Sequence, residues 1–196
     1  LHSFPTRRSS DLYMKILKIL KTITLLTLIS ILSACATTAK HEGMVPQTLF
    51  PYRKHDMTVS VSVSGGQDLD AMGRTWVSNE EFKKAIEETI LRSGVFKGIV
   101  SGIGSEYQLD AMIFSIEQPI VGFSMTVKME VGWTLKNLTT GMDVWKEPIK
   151  SEQTLSVGDA FVGATRLRLA TEGAARNNIF QSISKISSLD LKQPTK

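Results

Sequence analysis

The stretch that most constrains the fold is residues 123–135, where apolar and polar side chains alternate without a break. The apolar positions are Phe123, Met125, Val127, Met129, Val131, Trp133 and Leu135. A period of two places them on one face of a β-strand. Because a strand with one apolar face needs cover, we expect helices to pack on that face of a sheet. A lipid-binding surface is the alternative use of the same stripe.

Five further segments have strand or helix periodicity. Strand patterns cover 57–64, 106–117 and 142–155, and helical patterns cover 79–93 and 159–188. The first helix lies between a capping box, Ser78 with Glu81, and a terminating Gly94. Apolar residues on both faces predict that the strand at 106–117 is central and covered on both sides. Pro148 favours an edge position or a bulge for the last strand.

The order of these segments predicts an α+β fold. It is a four-stranded, mostly antiparallel sheet with two helices packed on one face, in the order β-α-β-β-β-α. The glycine-rich segment 98–104 follows a helix and precedes a strand, whereas a phosphate-binding loop follows a strand and opens a helix. We therefore expect a flexible connector there.

The N-terminal region has the three-part pattern of a secretory signal peptide. Met14–Lys21 carries three lysines, Thr22–Ile31 carries no charge, and Leu32-Ser33-Ala34-Cys35 follows. About ten apolar residues are too few to span a bilayer, which takes roughly 20. A small buried cysteine at the end of a core helix is the alternative interpretation of Cys35.

The last four residues of this pattern resemble the lipobox of bacterial lipoproteins. The resemblance implies cleavage before Cys35, acylation of Cys35 with fatty chains such as palmitate, and a membrane anchor. It assigns Leu32, Ser33 and Ala34 to recognition by the signal peptidase. Ala36 stands at the sorting position where an aspartate retains such lipoproteins at the inner membrane. The expected location is therefore the outer membrane of a Gram-negative bacterium, facing the periplasm.

These patterns divide the chain into five parts. Residues 1–13 resemble a translated sequencing adapter, 14–34 form the signal peptide, 35–56 the acylated cysteine and a tether, 57–190 the periplasmic α+β domain, and 191–196 a frayed tail. The first 34 residues hold five of the 23 basic and one of the 19 acidic residues, so 18 of each remain. This neutral balance argues against a nucleic-acid partner.

Few side chains of the chain offer catalytic or metal chemistry. His41 and His55 lie in or beside the tether, where we expect no rigid scaffold, so we predict neither a metal site nor a nucleophilic triad. Asp68 and Asp70 are interpreted as turn residues before a helix. A hydrolase would require Asp68, Asp70 and Asp110 to meet in a cleft. We expect no cofactor and a non-catalytic protein.

Two surface features favour contacts with a partner instead. By register, one sheet face carries small hydroxyl side chains, namely Ser60, Ser62, Ser64, Ser124, Thr126 and Thr134. Such a face suits either solvent or a covering partner. Exposed apolar contacts are expected at Pro119, Ile120, Val121 and Trp145, where they would serve as interface anchors.

The order of elements, with the segments Phe82–Phe96 and Tyr107–Asp110, resembles small periplasm-facing bacterial lipoproteins. Members of this group are the auxiliary lipoproteins of ABC-type lipid transporters and the lipopolysaccharide-assembly lipoprotein. The resemblance implies a non-enzymatic accessory protein with an envelope protein as its partner, supporting a transport or assembly machine. A lipid- or glycan-binding periplasmic module is the alternative, and an envelope hydrolase is a third hypothesis.

Overall fold

The computed structural model describes residues 14–21, 38–48, 53–72 and 74–191. The chain forms two compact units, Leu1–Cys35 and Ala36–Lys196. In the first unit, residues 14–21 form helix α1, whose side chains are exposed. Within the described ranges, no helix combines the length and the apolar character that crossing a membrane requires.

The second unit is an α+β fold built on one five-stranded sheet. Its elements are α2 (His41–Met44), β1 (His55–Ser64), α3 (Asn79–Ser93), β2 (Phe96–Ile99), β3 (Tyr107–Glu117), β4 (Ser124–Asn137), β5 (Asp143–Ser156) and α4 (Gly163–Ser188). The strand order is β2-β1-β3-β4-β5. The predicted α+β class is confirmed, and β5 is an edge strand, one of the two alternatives that Pro148 favours.

The prediction of four mostly antiparallel strands is wrong, because β1 pairs in parallel with both β2 and β3. Helix α3 carries the chain back across the sheet after β1, and a crossover of this kind produces parallel neighbours. Only the pairs β3–β4 and β4–β5 are antiparallel. Strand β2 gives no periodic signal because it has four residues, one of them Gly98, and it begins the segment predicted as a flexible connector.

Helix α3 forms where its end signals predict. The Ser78 hydroxyl accepts a hydrogen bond from the Glu81 amide at 3.3 Å. At the other end, Gly94 has φ 62° and its amide donates to the Ile90 carbonyl. Glycine adopts this left-handed conformation without a steric cost, which explains the stop. The Glu81 carboxylate does not complete the capping box, because it binds α2 instead.

Strand β3 is central, but its outer face is open, so the prediction of a strand covered on both faces is wrong. A β-bulge shifts the register between Ile113 and Ser115. Beyond the bulge, Ile116 turns to the core face and is buried. Met112 and Phe114, before it, remain exposed on the outer face. A bulge adds one residue to one strand and therefore inverts the side-chain alternation after it.

The core lies between one face of the sheet and helices α3 and α4. The stripe of β4 is buried from Met125 to Leu135, as packing against helices requires, and this excludes it as a lipid-binding surface. Phe123 is the exception, because it precedes the strand and is exposed. Trp133 anchors the centre, with its ring 6.0 Å from that of Phe82 on α3.

Part of the predicted tether is packed against the body, so that prediction needs correction over residues 38–48. Ala39, Met44 and Val45 are buried and belong to the main core cluster. His55 is also buried, and its ring Nε2 lies 3.0 Å from the Ile186 carbonyl oxygen near the end of α4. His55, and His41 in the packed segment, are therefore held by a folded scaffold, which the sequence does not indicate.

A buried polar network fixes α4 on the sheet. The Trp133 indole N–H donates to Asn178 Oδ1 at 2.8 Å. The Asn178 amide nitrogen donates to the Ile149 carbonyl at 2.8 Å and to the Ser151 hydroxyl at 3.1 Å. Because each of these groups is buried, the loss of its partner leaves a desolvated donor or acceptor.

We predict that Asn178→Leu lowers the free energy of unfolding by about 3 kcal/mol, because it leaves the Trp133 donor and the Ile149 acceptor without partners. Asn177→Leu is the matched control, since Asn177 is half-buried and bonds only the rim of β5. It should cost less than about 1 kcal/mol. Urea unfolding followed by Trp fluorescence measures both values, and equal losses would contradict the role of the network.

Candidate functional site

Three loops meet at one end of the sheet. Residues 65–77 connect β1 to α3, residues 118–123 connect β3 to β4, and residues 157–162 connect β5 to α4. They lie at the same end because β1 and β3 are parallel and both finish there, β4 begins there, and β5 runs antiparallel to β4 and finishes there. We call this end of the sheet, with its three loops, the apolar end.

The apolar end exposes large apolar side chains to solvent. The exposed fractions are 64% for Met72, 70% for Ile120, 82% for Val121, 87% for Phe123, 87% for Phe161 and 53% for Val162. Scattered single apolar residues are common on protein surfaces, whereas a concentration of them marks a site of interaction. This concentration is therefore a candidate functional surface.

Only part of the predicted contact set lies at this surface. Ile120 and Val121 are exposed there and Pro119 is half-buried. Trp145 lies on β5 near the opposite end, half-buried against the core, with its indole N–H directed to Glu147. The role of these residues as partner contacts stays a prediction.

Two aromatic residues of the apolar end were assigned elsewhere by the sequence pattern. Phe123 continues the alternation of β4 by sequence, and Phe161 falls in the segment with helical composition that starts at 159. Helix α4 begins only at Gly163, because Asp159 instead bonds the amide and the hydroxyl of Ser156 in a turn.

A buried arginine holds two of the loops together. Arg166 donates to the carbonyls of Ala160 at 2.7 Å and Phe161 at 3.3 Å, and its other terminal nitrogen donates to the Gly122 carbonyl at 2.9 Å. The guanidinium is planar and its donors have a fixed geometry. Arg166 therefore fixes the backbone of loop 157–162 against that of loop 118–123.

A second arginine joins loop 65–77 to the same group. Arg74 donates from Nε to the Asp70 carboxylate at 2.6 Å and from a terminal nitrogen to the Gln118 carbonyl at 3.0 Å. Burial raises the pKa of Asp70, but hydrogen bonds from Arg74 and Met72 outweigh it and hold that pKa below its usual value. Asp70 is thus a turn residue, as predicted from the sequence.

The chain joins the body at the apolar end. The Ala39 amide donates to the Trp76 carbonyl in loop 65–77 at 3.4 Å. The next amide, of Lys40, donates to the buried Glu172 carboxylate of α4 at 2.9 Å. These contacts place residue 39 beside loop 65–77, one of the three loops of the apolar end.

A polar cluster continues this attachment to α3. The His41 amide and its ring Nδ1 both lie 2.8 Å from Glu81 Oε2, and Lys84 donates to Oε1 of the same carboxylate at 2.8 Å. The Glu42 carboxylate lies 3.5 Å from the same ring nitrogen. His41, Glu42 and Glu81 therefore have the spacing of a possible cation site. Because both oxygens of Glu81 already accept hydrogen bonds, the cluster is better described as a clamp that holds α2.

The outer face of the sheet is open and has a shallow groove. The groove has a volume of about 370 Å³, and its lining includes Ser62, Phe114, Gly132 and Thr134. The Phe114 ring lies directly on Gly132, where a Cβ atom would stand 2.4 Å from the ring. The glycine therefore leaves the space that the end of the ring occupies, and a larger residue would displace the ring.

A second and larger cavity of about 670 Å³ opens beside β4, β5 and α4. Its lining is mainly charged and polar, with Lys128, Glu130, Lys150 and Glu152, and it includes Phe180 of α4. The cavity leaves no local pattern in the sequence, because its residues come from four separate elements, β3, β4, β5 and α4.

The three carboxylates of the hydrolase hypothesis do not meet. Asp70 is bonded to Arg74, which contacts Gln118 at the apolar end. Asp110 lies on β3 and accepts a hydrogen bond from Gln108. Eight residues of extended chain, or roughly 26 Å, separate Asp110 from Gln118. This set of residues therefore does not form a hydrolytic site.

The predicted acylation and processing residues lie outside the described residues. These are Leu32, Ser33, Ala34, Cys35 and Ala36. Their roles remain predictions from the sequence pattern.

Comparisons with known proteins identify similar folds. No protein-family model and no curated protein matches the chain. The protein XCC0632 from Xanthomonas campestris, described as DUF330, has a TM-score of 0.58 at 14% identity over 72% of this chain and 90% of its own. The hypothetical protein CT253 from Chlamydia trachomatis has 0.50 at 10% identity over 67% and 98%. A minor lipoprotein from Acinetobacter baumannii has 0.49 at 9% identity over 73% and 99%. At these identities the likeness shows the fold alone.

We predict that acid weakens the docking of segment 38–48. Burial raises the pKa of Glu81, but hydrogen bonds from Lys84 and His41 outweigh it and lower that pKa from 4.5 to about 2. A lowered pKa in the folded state stabilises docking fully above about 4.5, and the effect is lost as the pH falls toward 2. Lys84 lies on the same helix as Glu81 and stays beside it when the segment undocks, so only the part of the shift due to His41 acts on docking. Amide exchange in residues 41–44 should therefore rise about threefold or more across this window, relative to the core, since half a pKa unit is worth about a factor of three.

The control for this prediction is the neighbouring acid on the same helical turn. Glu81→Gln should make exchange in residues 41–44 nearly independent of pH between 4.5 and 2, whereas Glu80→Gln, at an exposed position, should leave the pH dependence intact. Exchange measured by mass spectrometry that shows the same pH dependence in both variants would refute the clamp.

Proposed function

We propose that this chain is a lipid-anchored, periplasm-facing accessory lipoprotein of a bacterial outer membrane, and that it supports an envelope transport or assembly machine without catalysing a reaction. The proposed anchor is an acylated Cys35, and Ala36 at the sorting position supports the outer membrane as destination. The lipobox-like pattern Leu32-Ser33-Ala34-Cys35 supports the anchor, and the partner is an envelope protein.

The observation that carries the accessory role is the open face of the sheet. Helices cover one face, whereas the other presents Met112 and Phe114 among small hydroxyl side chains. Phe114 lies over Gly132 in the groove, and 56% of its surface is exposed. Exposed aromatic residues are frequent anchors in protein interfaces.

The test is site-specific photo-crosslinking in the bacterium that encodes the chain. Phe114 is replaced by p-benzoylphenylalanine, and the matched control carries it at Leu91, an exposed apolar residue of α3 on the helical side of the body. We expect one defined envelope protein to be crosslinked at 114 and not at 91. Gly132→Val should reduce the yield at least several-fold, because the new side chain displaces the aromatic ring. No adduct at 114, or the same adducts at both positions, would contradict the proposal.

The alternative function is a lipid- or glycan-binding module, and the cavity lined by Lys128, Glu130, Lys150 and Glu152 favours it. Its volume lies within the range of small-molecule pockets, roughly 300–1,000 Å³. Its charged walls and the Phe180 side chain suit a sugar, which needs hydrogen bonds and an apolar platform. Native mass spectrometry of the full protein in detergent distinguishes the two functions: retained glycan or lipid that Phe180→Ala releases supports the alternative, and an empty protein counts against it.

A further inference from the structure

Chain length limits how far the apolar end can lie from the proposed anchor. Ala39 is fixed to Trp76 in loop 65–77. Three residues lie between Cys35 and Ala39, and the four Cα–Cα steps that join them span at most about 14 Å when fully extended. This limit holds for any conformation of the intervening residues. If Cys35 carries fatty chains in the bilayer, the apolar end lies close to the lipid surface.

The side chains at this end suit a bilayer better than water. Ile120, Val121, Phe123 and Phe161 are each at least 70% exposed. Transfer of such apolar surface out of water is favourable, and aromatic side chains are common at the interface between lipid and water. The apolar residues are carried by loop tips, which can enter the interface without any change in the sheet.

Three backbone carbonyls of these loops already have hydrogen-bond partners within the protein. A carbonyl group that leaves water needs a hydrogen-bond partner within the protein. Arg166 donates to the carbonyls of Gly122, Ala160 and Phe161, which flank or carry the exposed residues. These three carbonyls therefore keep a partner if the loop tips leave water.

The charges of the loops indicate how the contact forms. Arg74 is the only basic residue within 65–77, 118–123 and 157–162, and it is bonded to Asp70 and Gln118. No free cation of these loops is therefore available to attract anionic headgroups. The same loops carry Asp68, Asp70 and Asp159, so anionic lipid does not attract them. Contact with lipid would be driven by apolar burial and should not weaken as the salt concentration rises, unlike a polybasic contact.

From these observations we propose that loops 118–123 and 157–162 insert into the lipid interface beside the anchor and fix the orientation of the body on the membrane. The proposal rests on the proposed function, because it requires an acylated Cys35. The ligand is a phospholipid surface, and it is distinct from the envelope protein proposed for the open sheet face.

The test measures the depth of single positions in the acylated full chain. Val121→Cys, and in a second variant Phe161→Cys, supplies the single free thiol for a spin label, since Cys35 is the only natural cysteine and is blocked by acylation. Met142→Cys is the matched control, because Met142 is an exposed apolar loop residue at the other end of β4. The length of β4, Ser124–Asn137, separates the two ends by roughly 40 Å.

The proteins are reconstituted in vesicles of phosphatidylethanolamine and phosphatidylglycerol, and accessibility to oxygen and to a nickel chelate is measured by electron paramagnetic resonance. We expect the labels at 121 and 161 to be relaxed mainly by oxygen and the label at 142 mainly by the nickel chelate, with no loss of oxygen accessibility at 121 and 161 when the salt concentration is raised. Labels at 121 and 161 as accessible to the chelate as the label at 142 would overturn the insertion.

Two further outcomes separate the insertion from the proposed function and from a protein partner. If mass spectrometry finds no fatty chain on Cys35 and the protein does not float with the vesicles, the proposed function and the insertion both fail. If the labels at 121 and 161 are shielded from both reagents in native membranes but accessible to the chelate in the pure lipid vesicles, the apolar end binds a protein and the insertion is wrong.

Discussion

Burial of only one face of the sheet determines where the two candidate interaction surfaces, the open sheet face and the apolar end, are located. The buried stripe of β4 requires cover on a single side, so α3 and α4 both pack there and leave the other face open. Each of these helices follows a strand that finishes at the apolar end, and therefore each begins there. The loops before them, the arginines that fix those loops and the carboxylates that hold segment 38–48 consequently share one end of the body.

Much of the architecture could be predicted because its signals are local. The alternation of β4, the cap and stop of α3, and the proline of β5 each act within a few residues. The parallel pairing of β1 could not be predicted, since it depends on how α3 crosses the sheet. The bulge at Ile113 and Ser115 has no marker such as glycine, and β2 is too short to show a period.

The candidate surfaces could be predicted only in part. Ile120 and Val121 lie between Pro119 and Gly122 in the loop after a strand, and apolar residues in such a loop are visible in the sequence. Phe123 and Phe161 follow the periodicity of neighbouring elements, so their exposure is visible only in the structure. The attachment of residues 40 and 41 depends on Glu172 and Glu81, which are 132 and 40 residues away. Contacts at such separation leave no pattern in one sequence.

The central claim is that the chain joins the body at the end that carries the apolar loops. In a Cys35→Ser chain, spin labels are placed at the exposed positions 40 and 121 in one protein and 40 and 142 in another, and each distance is measured by pulsed electron resonance. The 40–121 distance should be shorter than the 40–142 distance by roughly 20 Å or more, because the length of β4 separates positions 121 and 142. Equal distances, or a shorter 40–142 distance, would contradict it.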